Sequence, residues 1–236
     1  MASIIAIGIL LYTIPFTIIA LHAIREYLKD KQDSKKKHMC YAFAAWSIGF
    51  ILDLIGALLV VPDMSPTRLM IVNTLFRLFD AFNIIGVFWL FIFLTDFVKP
   101  MKKYIIPTLI HMTISLILVF ATQAGVIVTV GQEYIIDRAG IRSLAIIFFW
   151  FIYWSVIGYQ FWKHSRLMTK RVAMRRSQMM SIGAVFAILA YVFVITSEAF
   201  QIIAHAYLAE FFAILAGIVF YAGFVAPKWL RRRWRK

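Results

Sequence analysis

Seven long apolar runs constrain this chain more than any other feature. Each run has about 20 residues or more, the length that a helix needs to cross the ~30 Å hydrocarbon core of a bilayer. The runs are continuous, whereas a membrane β-barrel shows segments of about ten residues with alternating polarity. We predict an all-α membrane protein, a single seven-transmembrane-helix bundle over 1–236 that ends in a basic tail at 228–236. The predicted spans are 3–25, 40–61, 69–98, 105–130, 142–163, 179–203 and 207–226.

Composition and length support this prediction. The chain is 63% hydrophobic and 15% charged, which excludes an ordinary soluble domain because such domains are about 45–50% apolar and 25% charged. The apolar stretch 179–226 would form a helix about 72 Å long at 1.5 Å per residue, more than twice the bilayer core. We therefore predict one turn in it, between Gln201 and Glu210, where polar residues cluster.

Basic residues predict the orientation. Of the 25 Lys and Arg residues, 21 lie at the ends of the first, third, fifth and seventh spans or in the segments that follow them. Because cytoplasmic loops carry the excess of Lys and Arg, we expect the N-terminus outside and the C-terminus in the cytoplasm of a multi-pass cell-membrane protein. This placement also explains the net charge of +14. We expect the basic side to face anionic lipids of the cytoplasmic leaflet and not nucleic acid.

The third span carries an unusual polar stripe. Asn73, Arg77 and Asp80 fall within one arc of roughly 60° on a helix, and Asn83 lies somewhat beyond its edge. An ionised group at the bilayer centre costs about 2.5–3.5 kcal/mol even on insertion scales, so the stripe must face other helices or water. The prediction is that Arg77 lies within reach of Asp80, one turn away, or of Asp53 in the second span.

Residue counting places further acidic groups at the same depth. Glu198 in the sixth span and Glu210 in the seventh lie in the outer half of the bilayer, as do Asp53, Arg77 and Asp80, and Gln201 recurs at helical spacing with Glu198. Two interpretations remain open: a structural ion-pair network, or an outward-opening pocket for a small ligand or ion. The candidate ligand-binding or network residues are Asp53, Asn73, Arg77, Asp80, Glu198, Gln201 and Glu210.

Other chemistries lack a sequence signal. The chain has no HxxxH or CxxC spacing and no recognisable catalytic or phosphate-binding motif, so we predict no enzyme, no metal and no cofactor. Span 207–226 contains no Lys, which excludes a retinal Schiff base. A haem held between His22 and His111 is a weaker alternative.

Spans two and three carry short motifs of a known type. Residues 46–54, Trp-Ser-Ile-Gly-Phe-Ile-Leu-Asp-Leu, resemble the Trp-x-x-Gly-Tyr-x-x-Glu-Leu pattern of the seven-helix sensor domains that precede histidine kinase and cyclase modules in prokaryotes. The third helix and the end of the chain resemble that family at Leu75, Phe76, Arg77, Gly86, Trp89, Phe93 and 223–232.

The resemblance implies a receptor that signals through a cytoplasmic output module. Asp53 stands where the family often has Glu, and no output module follows Lys236, so we expect a separate cytoplasmic signalling protein as partner, or a longer parent sensor. The leading hypothesis is a receptor-like sensory module that binds a small ligand in an outer-half polar pocket. The alternatives are an ion- or proton-coupled transporter or channel that uses the buried carboxylates, and an accessory subunit of a larger membrane complex.

Overall fold

The computed structural model describes residues 4–61, 64–122, 126–130, 133–137 and 140–235, and it is 88% helical. Seven helices in these ranges are long and apolar enough to cross a membrane, which confirms the predicted multi-pass helical bundle. The helices are α1 Ile4–Lys29, α2 Ser34–Leu59, α3 Pro66–Thr95, α4 Ile105–Ala121, α5 Gly140–Ser165, α6 Arg171–Phe200, α7 Ile203–Phe224 and the short α8 Lys228–Arg235. A 3-10 helix over Lys99–Tyr104 leads into α4.

Local sequence fixes several helix ends. The Asp33 side chain accepts a hydrogen bond from the Lys35 backbone N–H, and Ser65 does the same for Arg68 ahead of Pro66. Both satisfy backbone donors that a helix start leaves free. Between α6 and α7 the chain turns at Gln201, whose φ of 52° is left-handed. The predicted division of 179–226 into two helices is confirmed, and the break falls at the beginning of the predicted turn region.

The fourth predicted span is too long. Helix α4 ends at Ala121, and the residues that follow contribute to an antiparallel hairpin of β1 Val126–Val130 and β2 Glu133–Asp137. The β1 segment is Val-Ile-Val-Thr-Val, and β-branched residues favour strands over helices. The apolar segment at the end of the predicted fourth span is therefore a β-strand between α4 and α5 and not part of a membrane helix.

The helices form a closed ring with α4 at its edge. Neighbours in sequence pack together from α1 to α3 and from α5 to α7, α3 contacts both α4 and α5, and α7 returns to α1. Helix α3 is the most buried of the candidate spans and α4 is the least. Large apolar side chains, such as Leu21, Ile106 and Phe148, are exposed on the outside of the ring, as a lipid environment requires.

Loop contacts define two ends of the bundle. At the end we call the N-terminal face, the Glu133 carboxylate of β2 accepts a hydrogen bond of 2.7 Å from the Ile4 backbone N–H at the start of α1. At the opposite end, the C-terminal face, His38 Nδ1 lies 2.9 Å from Asp96 Oδ2, and Arg176 Nε donates to the Gly223 carbonyl of α7. Thus the hairpin covers one face, and α8 follows α7 at the other.

Candidate functional site

Two adjoining cavities lie inside the ring. The central cavity, of about 580 Å³, is lined by aromatic and alanine residues of α1, α2, α3, α5, α6 and α7. The outer cavity, of about 540 Å³, lies between it and the hairpin and includes Tyr134 and Ile135 of β2. The two cavities share Tyr12, Phe79, Val194, Ala209 and Glu210.

An aromatic stack forms the part of the central cavity that faces the C-terminal face. The rings of Trp46 and Trp154 lie 5.4 Å apart and nearly parallel, and Phe220 stacks on Trp154 at the same separation. Gly86 makes room for the Trp46 indole, because a Cβ there would lie 2.4 Å from Trp46 Nε1. The indole N–H donates to the Asn83 carbonyl at 3.3 Å. Trp46 and Gly86 of the sequence motif thus shape the cavity.

The side wall combines rings with small residues. Trp150 of α5 and Tyr191 of α6 stack with their centroids 3.8 Å apart and an interplanar angle of 19°. Ala187 and Ala190 of α6 face the same cavity. Their methyl groups leave space that larger side chains would fill, so this wall is apolar.

Three acidic residues line the outer cavity. Asp53 is buried, and its carboxylate accepts a hydrogen bond of 2.5 Å from the Tyr12 hydroxyl. Glu198 is half-buried and accepts from the Ser143 hydroxyl at 3.4 Å. Glu210 lines both cavities. The structure therefore brings together Asp53, Glu198 and Glu210, as the depth count predicted for the acidic residues of spans two, six and seven.

Glu210 lies where α1 and α7 approach each other closely. A Cβ on Gly8 would lie 2.8 Å from Glu210 Cβ and 3.1 Å from its Oε2, so the absence of a side chain at Gly8 allows α1 and α7 to approach here. Glu210 Oε2 is buried and has no hydrogen-bond partner among the described residues. A buried carboxyl oxygen without a partner costs free energy, and a bound ligand is one means of recovering it.

The predicted pairing of Arg77 is wrong. Asp80 instead forms an ion pair with Arg142 at the start of α5, with Arg142 Nη2 2.5 Å from Asp80 Oδ2. The two side chains are 0% and 2% exposed, so this pair is inside the bundle. The prediction failed because position 142 is only the first residue of the predicted span 142–163, whereas α5 begins at Gly140 and carries Arg142 inward.

Arg77 has a different structural role. Its guanidinium donates to the Thr122 carbonyl at 2.7 Å and to the Phe120 carbonyl at 3.3 Å, at the end of α4. The last carbonyls of a helix lack intrahelical partners and carry partial negative charge, which a cation satisfies. Arg77 therefore caps α4 and marks where this helix ends.

The remaining predicted residues lie apart from the cavities. Asn73 is buried in α3 and Gln201 is exposed at the α6–α7 turn, and neither lines a cavity. Sequence reasoning missed Tyr12, Trp150 and Trp154. No sequence signal separates these aromatic residues from others in an apolar helix, although the pairs Tyr12–Asp53 and Trp150–Tyr191 lie at matching depths.

In the part of the chain that the structure describes, no three His, Cys, Asp or Glu side chains are grouped so that they could hold a metal ion. Comparisons of the chain with protein-family models, with curated proteins and with solved structures give no match. The resemblance to prokaryotic sensor domains therefore stays a prediction.

Proposed function

We propose that this protein is a receptor-like membrane module that binds a small ligand in the central and outer cavities and signals to a cytoplasmic partner. The observation that carries the proposal is the central cavity itself. It has aromatic walls, and Glu210 in its lining has a buried oxygen without a hydrogen-bond partner among the described residues. Pockets of this kind, apolar with few polar groups, are the usual small-molecule sites.

The half of the bundle beyond the aromatic stack favours a receptor over a transport path. Between the aromatic stack and the C-terminal face, the α3 residues from Val87 to Leu94 are apolar and, except for the half-buried Trp89, buried. Phe43 packs edge-on against Phe224 with centroids 4.3 Å apart. A route for ions or protons needs polar groups or water through this region, and these contacts are apolar.

The helices that line the cavity also shape the C-terminal face, which supports a route for the signal. A further cavity of about 630 Å³ opens there between α2, α3, α5, α6 and α7. Arg176 joins two of these helices by donating to the Gly223 and Phe224 carbonyls of α7. A ligand that binds one arrangement of α6 and α7 better than another would shift this end of the bundle. The basic segment 163–178 and α8 would then change their presentation to the partner.

The test is a screen of small molecules for stabilisation of the purified protein in lipid nanodiscs. A compound present at 100 times its Kd stabilises the fold by about 2.7 kcal/mol. Ala187→Phe fills the cavity and should abolish the stabilisation. Val185→Phe is the matched control, since Val185 lies on the same helix but is 51% exposed on the outside of the ring, whereas Ala187 is 7% exposed. Hits that stabilise both variants equally would contradict the proposal.

The signalling part has its own readout. Ala173 lines the further cavity at the C-terminal face, and a fluorophore is attached there through Ala173→Cys. Its emission should change when a hit binds the protein that retains Ala187. The emission should not change when Ala187→Phe is also present. Cys40 is buried and is the chain's single cysteine, so Cys40→Ser provides the labelling background. Binding without any change at this position would contradict the coupling of the two faces.

A transporter or channel is the second candidate function, favoured by the three carboxylates of the outer cavity. Intramembrane carboxylates are typical of ion and proton pathways. Flux into proteoliposomes that falls with Glu210→Gln would support this alternative over the receptor.

A further inference from the structure

We infer that the ligand of the central cavity is an organic cation, an amine on a flat, ring-bearing apolar body. This inference rests on the proposed function and narrows it to one chemical class. It draws on three features of the cavity: the sign of its charge, the faces of its rings and its unsatisfied polar atoms.

The charge of the lining residues has one sign. Among the described residues that line the central or the outer cavity there is no Lys, Arg or His. Glu210 lies where the two cavities meet, and its Oε2 is buried without a hydrogen-bond partner in the described part of the chain. A buried carboxylate is stable only when a counter-charge or strong donors satisfy it. An ammonium group supplies both, whereas an anionic ligand would add like charge.

The rings favour the same ligand. The cavity has the stacked indoles of Trp46 and Trp154 on one side and the stacked Trp150 and Tyr191 on another. Aromatic faces are negative and attract cations, most strongly when water is excluded. The same flat faces pack against a planar ring through dispersion and offset stacking. A ring with an attached amine therefore uses both the walls and the carboxyl group.

Three further polar atoms belong to residues of the cavity. Asn83 Oδ1, Trp150 Nε1 and Trp154 Nε1 are buried without hydrogen-bond partners in the described part of the chain. Buried polar atoms are nearly always paired, so an acceptor and two indole donors in one cavity indicate a ligand with a polar group of its own besides the amine. A purely apolar ligand, such as a lipid tail, would leave all four atoms, including Glu210 Oε2, unsatisfied.

The experiment compares three nitrophenyl probes that quench tryptophan fluorescence: 2-(4-nitrophenyl)ethylamine, its isostere 2-(4-nitrophenyl)ethanol, and 4-nitrophenylacetic acid, which is similar in size. Trp46, Trp150 and Trp154 line the cavity, so a bound probe quenches them. Quenching that persists in Ala187→Phe measures partition into the nanodisc lipid and is subtracted. We expect the amine to bind at least about tenfold more tightly than the alcohol, the scale of a hydrogen bond to a charged group, and the acid to bind least.

Glu210→Gln should remove the preference for the amine and leave the affinity for the alcohol nearly unchanged. Glu26→Gln is the matched control, because Glu26 pairs with Lys29 at the other end of α1, and it should keep the preference. The comparison of the three probes on the unsubstituted protein needs no variant and stands even if Glu210→Gln does not fold.

Each opposite result overturns the inference. An alcohol that binds as tightly as the amine, a tighter acid, or an amine preference that survives in Glu210→Gln would exclude the organic cation, as would the absence of cavity quenching by all three probes. None of these results decides the proposed function, which depends on the separate nanodisc screen. If no compound in that screen loses its effect in Ala187→Phe, the cavity is not a ligand site and the proposed function fails with the inference.

Discussion

The buried pair of Asp80 and Arg142 leads to the sharpest stability prediction. With exposed fractions of 0% and 2%, both charges have left the solvent, and removing one partner of such a pair typically costs about 3–5 kcal/mol. We therefore expect Asp80→Asn and Arg142→Gln each to lower the free energy of unfolding by about that amount. The doubly substituted protein should lose less than the sum, since each single substitution already removes the same ion pair.

The double-mutant cycle gives the coupling between the two residues. We expect it to be about 2 kcal/mol or more, in the upper part of the range for residues in one ion-pair network. Arg77→Gln supplies the matched control, because Arg77 lies one turn from Asp80 on α3 but donates to the carbonyls of Phe120 and Thr122. Its coupling to Asp80→Asn should stay below about 1 kcal/mol.

Denaturant unfolding in mixed detergent micelles, followed by near-ultraviolet circular dichroism, measures these differences. If Asp80 couples to Arg77 as strongly as to Arg142, the assignment of the buried pair is wrong, and the stripe of α3 is an ion pair within one helix. Additive effects of Asp80→Asn and Arg142→Gln would equally show that these two residues do not interact.

Three other substitutions test side-chain contacts around the cavities and at the start of α1. Gly8→Ala would place a methyl group 2.8 Å from Glu210 Cβ, so we expect binding of the nitrophenyl amine to weaken at least about fivefold, because the carboxyl group must move; unchanged affinity in fluorescence titration would contradict this. Glu133→Gln removes the carboxylate that accepts from the start of α1, worth about 0.3–1 kcal/mol at a helix N-terminus, and backbone hydrogen exchange in the first turn of α1 should accelerate; equal protection would count against the tether. Gly86→Ala would bring a methyl group to 2.4 Å from Trp46 Nε1 and should destabilise the fold by about 1–3 kcal/mol through overpacking; a loss under about 0.5 kcal/mol would show that the indole moves freely.

The helices were predictable from the sequence because each is a long apolar run, and length alone decides that such a run crosses a bilayer. The same rule also required a turn in 179–226, found at Gln201. Helix α4 shows the limit of this length rule. The apolar letters of Val126–Val130 extend the run beyond Ala121, and a short apolar segment does not reveal by periodicity whether it is helix or strand.

The depth of the candidate site residues in the membrane was predictable from the sequence, but the helix that each side chain faces was not. Counting residues along a span gave the level of Asp53, Glu198 and Glu210, and these three do line one cavity. The same counting says nothing about which helices are neighbours, and the partner of Asp80 depends on the contact of α3 with α5. The partner of Asp80 is therefore Arg142 and not the predicted Arg77.

The most direct test of the central claim is the accessibility of a cysteine in the cavity. In a Cys40→Ser background, Ala209→Cys lies where the central and outer cavities meet, and a cationic, membrane-impermeant methanethiosulfonate reagent is applied to either side of oriented vesicles. We expect modification from the N-terminal face, protection by a hit from the nanodisc screen, and no modification from the C-terminal face. Equal modification from both faces, or modification that a bound hit does not slow, would contradict it.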